Sequence, residues 1–109
     1  MSMNQPQLEK MIGRMINIIK PNGVVNINYE LRPMDFVGNS YNMSITYIVP
    51  DDSEFLRSFN MRSADMIRRQ WNEEISNTIR DYFDVEIIIG SSGTQSESYY
   101  ERQKKYQDE

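Results

Sequence analysis

Apolar and polar residues recur at helical spacing near the start of the chain. Between Gln7 and Ile19 the apolar positions lie three or four residues apart, and charged residues occupy the opposite arc. Pro21 and Gly23 follow, and both residue types end helices. The pattern predicts an amphipathic helix with the following apolar residues: Leu8, Met11, Ile12, Met15, Ile16, Ile18 and Ile19.

Two segments in which apolar and polar residues alternate come next, over residues 25–31 and 41–49. Alternation with a period of two is typical of strands that have one buried face and one exposed face. Between the segments, the dipeptide Gly38-Asn39 suits a two-residue type II′ turn. We therefore expect both strands to belong to one long β-hairpin.

The predicted turn implies a register in which Val37 pairs with Ser40. Continued without a break, this register would set apolar Leu31 against polar Thr46, so the apolar faces of the strands would be out of phase. One extra residue at Arg32-Pro33 restores the phase, and a bulge is a place where a sheet tolerates proline. The predicted hairpin is therefore bulged, with these facing pairs: Phe36 with Tyr41, Met34 with Met43, Leu31 with Ile45, Tyr29 with Tyr47 and Ile27 with Val49.

Two helical segments and a strand complete the folded part of the chain. A short helix is expected after Pro50, and Ser63 is the predicted N-cap of a longer helix that ends near Tyr82. Residues 85–89 are predicted to form a strand that ends at Gly90. The fold class is α+β with two layers, in the order helix, long bulged β-hairpin, short helix, long helix, strand. The helices cover one face of a three-stranded mixed sheet, in which the last strand is parallel to a hairpin strand.

The chain after Gly90 is rich in Ser, Gln and charged residues and has tyrosine as its only apolar residue type. Such a segment buries too little apolar surface to offset the loss of chain entropy on folding. We therefore expect one α+β domain over residues 1–90 and a disordered polar tail over residues 91–109.

The composition of the chain excludes several kinds of chemistry. The 109 residues include no cysteine and no histidine, and the formal net charge is −4. Disulfides, thiol nucleophiles and the usual acid/base catalyst near neutral pH are therefore unavailable, as are the commonest zinc and copper ligands. We expect a protein that is not an enzyme and that has no cofactor and no metal site.

The run from Asp51 to Glu54 is the densest group of carboxylates in the sequence. Carboxylates can bind Mg²⁺ or Ca²⁺, but the run lacks the alternating ligands, the glycine and the late Glu of a calcium loop. Acidic residues also cap a helix N-terminus and complement its dipole. We expect this second role, at the start of the short helix.

The N-terminal apolar residues are interrupted by Glu9, Lys10 and Arg14, whereas a signal peptide has an unbroken apolar stretch. No apolar run approaches the length of a membrane span. We expect no membrane association and a location in the cytoplasm or within a particle assembled inside a cell. The excess of Ile and Asn over Lys is typical of AT-rich genomes such as those of many phages, so a virion is one such particle.

Three features of the sequence are candidates for binding a protein partner. The end of the hairpin is rich in large apolar residues, which either cover the far end of the core or form a docking surface on a projecting arm. Any uncovered sheet edge can accept a strand from another chain. The tail carries tyrosines, which are favoured at interfaces. The candidate partner-binding residues are Met34, Phe36, Val37, Tyr41, Met43, Tyr99, Tyr100 and Tyr106.

The only concentration of basic residues surrounds the junction between the short and long helices, at Arg57, Arg62, Arg68 and Arg69. The order of elements resembles that of a type II KH domain, a nucleic-acid-binding family in which a Gly-X-X-Gly loop at this junction clamps the nucleic-acid backbone. Residues 58–63 contain no glycine, so the resemblance is one of topology and implies no individual site residue. It provides the alternative hypothesis of a KH-like module that binds nucleic acid through the four arginines.

These observations favour a structural or assembly protein, a small subunit of a larger homo- or hetero-oligomeric complex such as a phage particle. It is expected to bind protein partners through the hairpin arm, a sheet edge and the C-terminal tail. Binding of nucleic acid is the alternative, and it is less favoured because the net charge is negative.

Overall fold

The computed structural model describes residues 5–34, 40–56 and 61–107, with only the backbone described for residues 61–63 and 107. Its helices and strands follow the chain in this order: α1 (Gln5–Ile18), β1 (Asn26–Pro33), β2 (Ser40–Val49), α2 (Met61–Phe83), β3 (Glu86–Ser96) and α3 (Glu97–Gln107).

The three strands form one mixed sheet in the order β1-β2-β3. Strand β2 lies in the centre, antiparallel to β1 and parallel to β3. This confirms the predicted α+β class and the parallel pairing of the last strand with a hairpin strand. It also leaves β1 and β3 as the two edges of the sheet.

The hydrophobic core lies between the sheet and helices α1 and α2, which pack on the same face. Alternate side chains of β2 point toward both helices because successive residues of a strand face opposite ways. Trp71 of α2 lies at the centre, with its ring 4.9 Å from that of Tyr47 and 5.0 Å from that of Phe55. The fully buried residues of this core include Ile12, Ile16, Tyr41, Met43, Tyr47, Val49 and Ile79.

The register of the hairpin differs from the prediction. Leu31 faces Met43, not Ile45, and the ladder runs without a bulge from Asn26 to Pro33. The Met34 N–H then donates to the Ser40 carbonyl at 2.9 Å, so the predicted pairing of Met34 with Met43 is wrong. The predicted turn at residues 38–39 lies outside the described residues.

The segment after β2 forms successive turns over the described residues 50–56, where a short helix was expected. The Ser53 N–H donates to the Pro50 carbonyl at 2.9 Å, and the Leu56 N–H donates to the Ser53 carbonyl at 3.1 Å. In addition, the Ser53 hydroxyl accepts the Phe55 N–H at 3.2 Å. Such a bond from a serine side chain gives the backbone an alternative to helical hydrogen bonding.

Strand β3 continues to Ser96, past the predicted end at Gly90. A bulge occurs at Gly90, because Ile89 pairs with Met43 while Ser91 pairs with Ser44. A Cβ atom on Gly90 would lie 2.9 Å from the Asn42 side-chain oxygen, so a larger residue here would require the Asn42 side chain to move. The sheet therefore has its bulge in β3 and not in the hairpin.

The prediction of a disordered tail is corrected for residues 91–107, which complete β3 and form the eleven-residue helix α3. The composition of the segment indicated disorder because it offers little apolar surface. It is ordered through backbone pairing with β2 and through polar side-chain contacts with α2, neither of which is visible in the local sequence.

Candidate interaction surface

A cluster of polar side chains joins β2, α2 and β3 in the second half of the sheet. The Tyr47 hydroxyl donates to Asn72 Oδ1 at 2.7 Å, and Asn72 Nδ2 donates to Ser92 Oγ at 3.0 Å. Arg68 Nε also donates to Ser92 Oγ, at 3.2 Å, while its Nη2 binds Asp65 Oδ1 at 2.7 Å. We call these five residues the Asn72 cluster. It takes the place of apolar packing where β3 has no large side chain.

Burial keeps the Tyr47 hydroxyl of the Asn72 cluster protonated. Burial raises the pKa of the Tyr47 hydroxyl well above its ordinary value, an effect that the charge of Arg68 opposes and that of Glu74 reinforces. The hydroxyl is therefore a hydrogen-bond donor at neutral pH and not a base. Since the side chains of the cluster bind one another, its evident role is to attach β3 to α2.

Helix α3 begins on two side-chain caps. Ser96 Oγ accepts the Tyr99 N–H at 3.2 Å, and Asp51 Oδ1 accepts the Ser98 N–H at 3.0 Å. The Ser98 hydrogen bond lowers the pKa of the Asp51 carboxyl, and Arg102 lowers it further. Part of the acidic run thus caps a helix, as expected for such a run, but that helix is α3, far along the chain, and not the segment that follows the run.

Beyond its first turn, α3 projects away from the rest of the described chain. It contacts only strands β2 and β3 among the described elements, and residues 101–106 are all exposed. The radius of gyration is 14.9 Å, whereas a compact chain of this size has about 13 Å. Tyr99 and Tyr106 lie seven residues apart on one side of this helix and are 46% and 79% exposed.

The hairpin-end candidates are divided between the core and the surface. Tyr41 and Met43 are fully buried against the helices, so they are not part of an exposed docking surface. Their position follows from the observed register, which sets both on the helix-facing side of the central strand. Met34 is 51% exposed, and Phe36 and Val37 lie outside the described residues.

The Tyr41 hydroxyl is buried without a hydrogen-bond partner among the described residues. Burial raises the pKa of this hydroxyl, and the nearby carboxylate of Glu9 raises it further. A neutral phenol is therefore held at this end of the core.

The arginine candidates are also divided. Arg68 is half-buried in the Asn72 cluster and paired with Asp65, so its role is structural. Arg69 is exposed beside a shallow depression of about 220 Å³ between α2 and Ile89 of β3. Arg57 and the side chain of Arg62 lie outside the described residues, so only Arg68 and Arg69 are placed, the first in the Asn72 cluster and the second at the surface.

The two edges of the sheet differ in charge. Strand β1 carries an ion pair of 3.0 Å between Glu30 and Arg32 and ends at Pro33. Strand β3 has no charged residue after Glu86. The sheet face opposite α1 and α2 is largely polar, with Ile88 as an exposed apolar residue and Ile48 buried outside the main core.

Comparison with protein-family models, curated proteins and solved structures finds no match to this chain. The resemblance to the KH family therefore stays one of element order. Within the described part of the chain, no three His, Cys, Asp or Glu side chains form a group that could hold a metal ion. None of the described helices combines the length and the apolarity that a membrane span requires.

Sequence reasoning missed Asn72 and Ser92, and it predicted a capping role for the run that contains Asp51 but at the wrong helix. Asn72 occupies the polar arc of α2, as a solvent-exposed residue would, and Ser92 lies in a Ser/Gly-rich stretch typical of linkers. The sequence holds only a weak signal for these residues, which is a polar arc on a helix opposite a strand segment without large apolar side chains.

Proposed function

We propose that this chain is a non-enzymatic structural or assembly protein that binds protein partners through α3 and the outer edge of β3. The observation that carries the proposal is the projection of α3, with two exposed tyrosines on one side, away from the body of the fold. The proposed setting is a multi-subunit complex, for which a phage particle is the concrete form we favour.

The length of α3 supports a role in binding. An isolated helix shorter than about 12 residues is marginal in water, and most helices gain their stability from packing of one face. Helix α3 has eleven residues and packs only at its first turn. A partner that covers the side bearing Tyr99 and Tyr106 would supply the missing packing.

The chemistry of the α3 side chains fits a protein groove. Residues at positions i, i+3 or i+4 and i+7 are the usual anchors of a helix bound in a groove. Tyr99 and Tyr106 have the i, i+7 spacing, and Gln103 lies between them with its amide donating to the Tyr99 hydroxyl at 3.1 Å. Tyrosine combines a large apolar ring with a polar end, which suits the rim of such an interface.

The test is a pull-down with the tagged full-length chain from its native cells, with and without nuclease and at low and high salt. We expect protein partners that survive nuclease and high salt, are lost with Y99S/Y106S and are retained with Y82S. Tyr82 is the matched control because it is 70% exposed on a different helix.

Two outcomes would contradict the proposal. Partners bound equally by wild type and Y99S/Y106S would exclude α3 as the binding element. Bound material that disappears with nuclease would favour the nucleic-acid alternative, and the exposed Arg69 would then be the residue to reverse in charge.

A further inference from the structure

Strand β3 is an edge strand without the usual protection against pairing with another strand. Natural sheets protect their edges with charged side chains, prolines or a covering element. Strand β1 has such protection in Glu30, Arg32 and Pro33. In contrast, residues 87–96 of β3 are uncharged and free of proline, and β3 pairs only with β2 within the described chain.

The bulge at Gly90 determines which way the residues after it point. The Ser91 hydroxyl lies 3.1 Å from the Ser44 hydroxyl on the sheet face opposite the helices. Ser92 points the other way, into the Asn72 cluster. Since side chains alternate along a strand, Gly93 and Gln95 share the face of Ser91.

We propose that residues 91–95 of β3 pair antiparallel with the same residues of a second copy of the chain, about a two-fold axis at Gly93. The inference rests on the proposed assembly role and names one partner for the edge of β3. The six strands of the two copies would then form one continuous sheet, with the α1 and α2 layers of both copies on the same side.

The alternation of side chains requires that a residue lies at the centre of the pairing, and Gly93 is the middle residue of the segment 91–95. With Gly93 opposite its own copy, Ser91 faces Gln95 and Ser92 faces Thr94, so both members of every pair lie on the same face. A centre between two residues would set opposite faces against each other, which antiparallel pairing does not allow. A pairing that continued across the bulge at Gly90 would also set opposite faces against each other.

The residues at this edge offer little resistance to self-pairing. A Cβ atom at Gly93 would meet nothing within 4 Å, so the sheet face at this position is open. A two-fold axis repeats every charge of the segment in the second copy, and like charges brought together across the axis destabilise a sheet. Residues 91–95 carry no charge, so this cost is absent, while backbone groups left to water in the single copy gain partners.

The test compares the self-association of two double variants of the full-length chain by analytical ultracentrifugation, from micromolar to millimolar concentration. In S91K/Q95K, position 91 of each copy faces position 95 of the other copy, so two pairs of lysines face each other across the axis. We expect a dissociation constant that is about tenfold higher than that of the wild type, or more. In S91K/Q95E, each lysine faces a glutamate at the same positions, so we expect association to return to the wild-type level or better.

A matched single-charge control and a second measurement accompany the test. N28K adds a lysine to the same sheet face on the opposite edge and should leave association unchanged. Circular dichroism establishes that each variant is folded. In the wild type, amide hydrogen exchange over residues 91–95 should slow as concentration rises, and this observation depends on no substitution.

Three outcomes would overturn the inference. These are a wild type that stays monomeric at millimolar concentration, an association that S91K/Q95K leaves unchanged, and equal weakening by both double variants. The last outcome would exclude the pairing centred on Gly93. The dimer and the proposed function can fail separately. A monomeric wild type that still binds its partner through α3 would refute only the dimer. Y99S/Y106S should dimerise as the wild type does, because its substitutions lie in α3 and not in β3.

Discussion

The side-chain amide of Asn72 in α2 donates a hydrogen bond of 3.0 Å to the hydroxyl of Ser92 in β3, the strand segment that has no large apolar residue. The same Asn72 accepts the hydroxyl of Tyr47 from the central strand. One side chain thus joins three elements. Buried polar groups are stabilising when they are paired and costly when they are not, so this residue is the point at which the order of β3 is most sensitive.

Replacing Asn72 with alanine should therefore loosen the C-terminal half of β3. The buried Tyr47 hydroxyl would lose its acceptor, and Ser92 would lose a donor. We expect the free energy of unfolding to fall by about 1–3 kcal/mol, as measured by urea denaturation. Amide hydrogen exchange should accelerate over residues 91–96 more than over β1.

Asn28→Ala is the matched control, because Asn28 is exposed on the outer face of β1. A surface asparagine away from any network should change the free energy of unfolding by no more than about 0.5 kcal/mol. Equal effects of the two substitutions would mean that the Asn72 cluster contributes nothing specific to β3.

The hairpin shows how far alternation alone determines a sheet. The faces of β1 and β2 were predicted correctly, because Ile27, Tyr29 and Leu31 all lie on the side of α1 and α2. The register was wrong by two residues. A shift of two leaves every side chain on its own face, so the pattern of apolar residues cannot distinguish the two registers. The choice depended on the predicted turn, whose residues 38–39 lie outside the described part of the chain.

The C-terminal segment shows a second limit of sequence reasoning. The strand propensity of residues 91–96 is low, because glycine is depleted in strands and serine side chains can bond to nearby backbone groups instead. Their order depends on Asn72 and Arg68, which are about twenty residues away along the chain. The cap on α3 likewise comes from Asp51, on the far side of α2. The candidate site was therefore predicted in part, through Tyr99 and Tyr106, while the residues that position it were not.

The contact between Gly13 of α1 and Tyr29 of β1 predicts an unusual response to alanine. Gly→Ala inside a helix normally raises stability by about 1 kcal/mol. Here the Tyr29 hydroxyl occupies the place of a Cβ atom at position 13, while the ring carbon that bears it lies 3.4 Å away. We expect G13A to give no gain in the free energy of unfolding.

The Tyr29→Phe background provides the check on that prediction. It removes the hydroxyl and leaves the ring, so G13A in Y29F should recover the usual gain of about 1 kcal/mol. Urea denaturation of the four chains of this double-mutant cycle measures the coupling. If G13A stabilises the wild type and Y29F equally, the hydroxyl does not limit the packing of α1 on the sheet.

The raised pKa of Tyr47 predicts a loss of stability in alkaline solution. In the unfolded chain this phenol titrates near pH 10.0, whereas burial raises its pKa in the folded protein. The stability that the Tyr47 phenol contributes is fully present below pH 10.0. It is lost as the pH rises, because the unfolded chain then releases a proton that the folded chain retains. We expect the free energy of unfolding to fall with a slope of up to about 1.4 kcal/mol per pH unit from this group.

Urea denaturation across pH 10.0 measures this slope in the wild type and in Y47F. The substitution lowers stability at every pH by removing the bond to Asn72, but it should also make the slope shallower. The remaining slope includes Tyr41, whose pKa is also raised. Parallel curves for the two proteins would show that Tyr47 titrates normally in the folded state.

The hydrogen bond from the Ser98 N–H to Asp51 predicts that α3 depends on a carboxylate far away in the sequence. In D51A this N–H loses its acceptor at the start of the helix, and the first turn is where α3 contacts the sheet. We expect faster amide exchange over residues 97–107 and a smaller helical signal in circular dichroism. D52A is the matched control, since Asp52 is the adjacent exposed carboxylate.

The lowered pKa of Asp51 means that the support this carboxylate gives to α3 is present above its ordinary pKa of 3.8. That support is lost as the pH falls through the lowered value. Acid should therefore loosen α3 in D52A but have little further effect in D51A, and equal acid sensitivity of the two variants would exclude Asp51 as the cap.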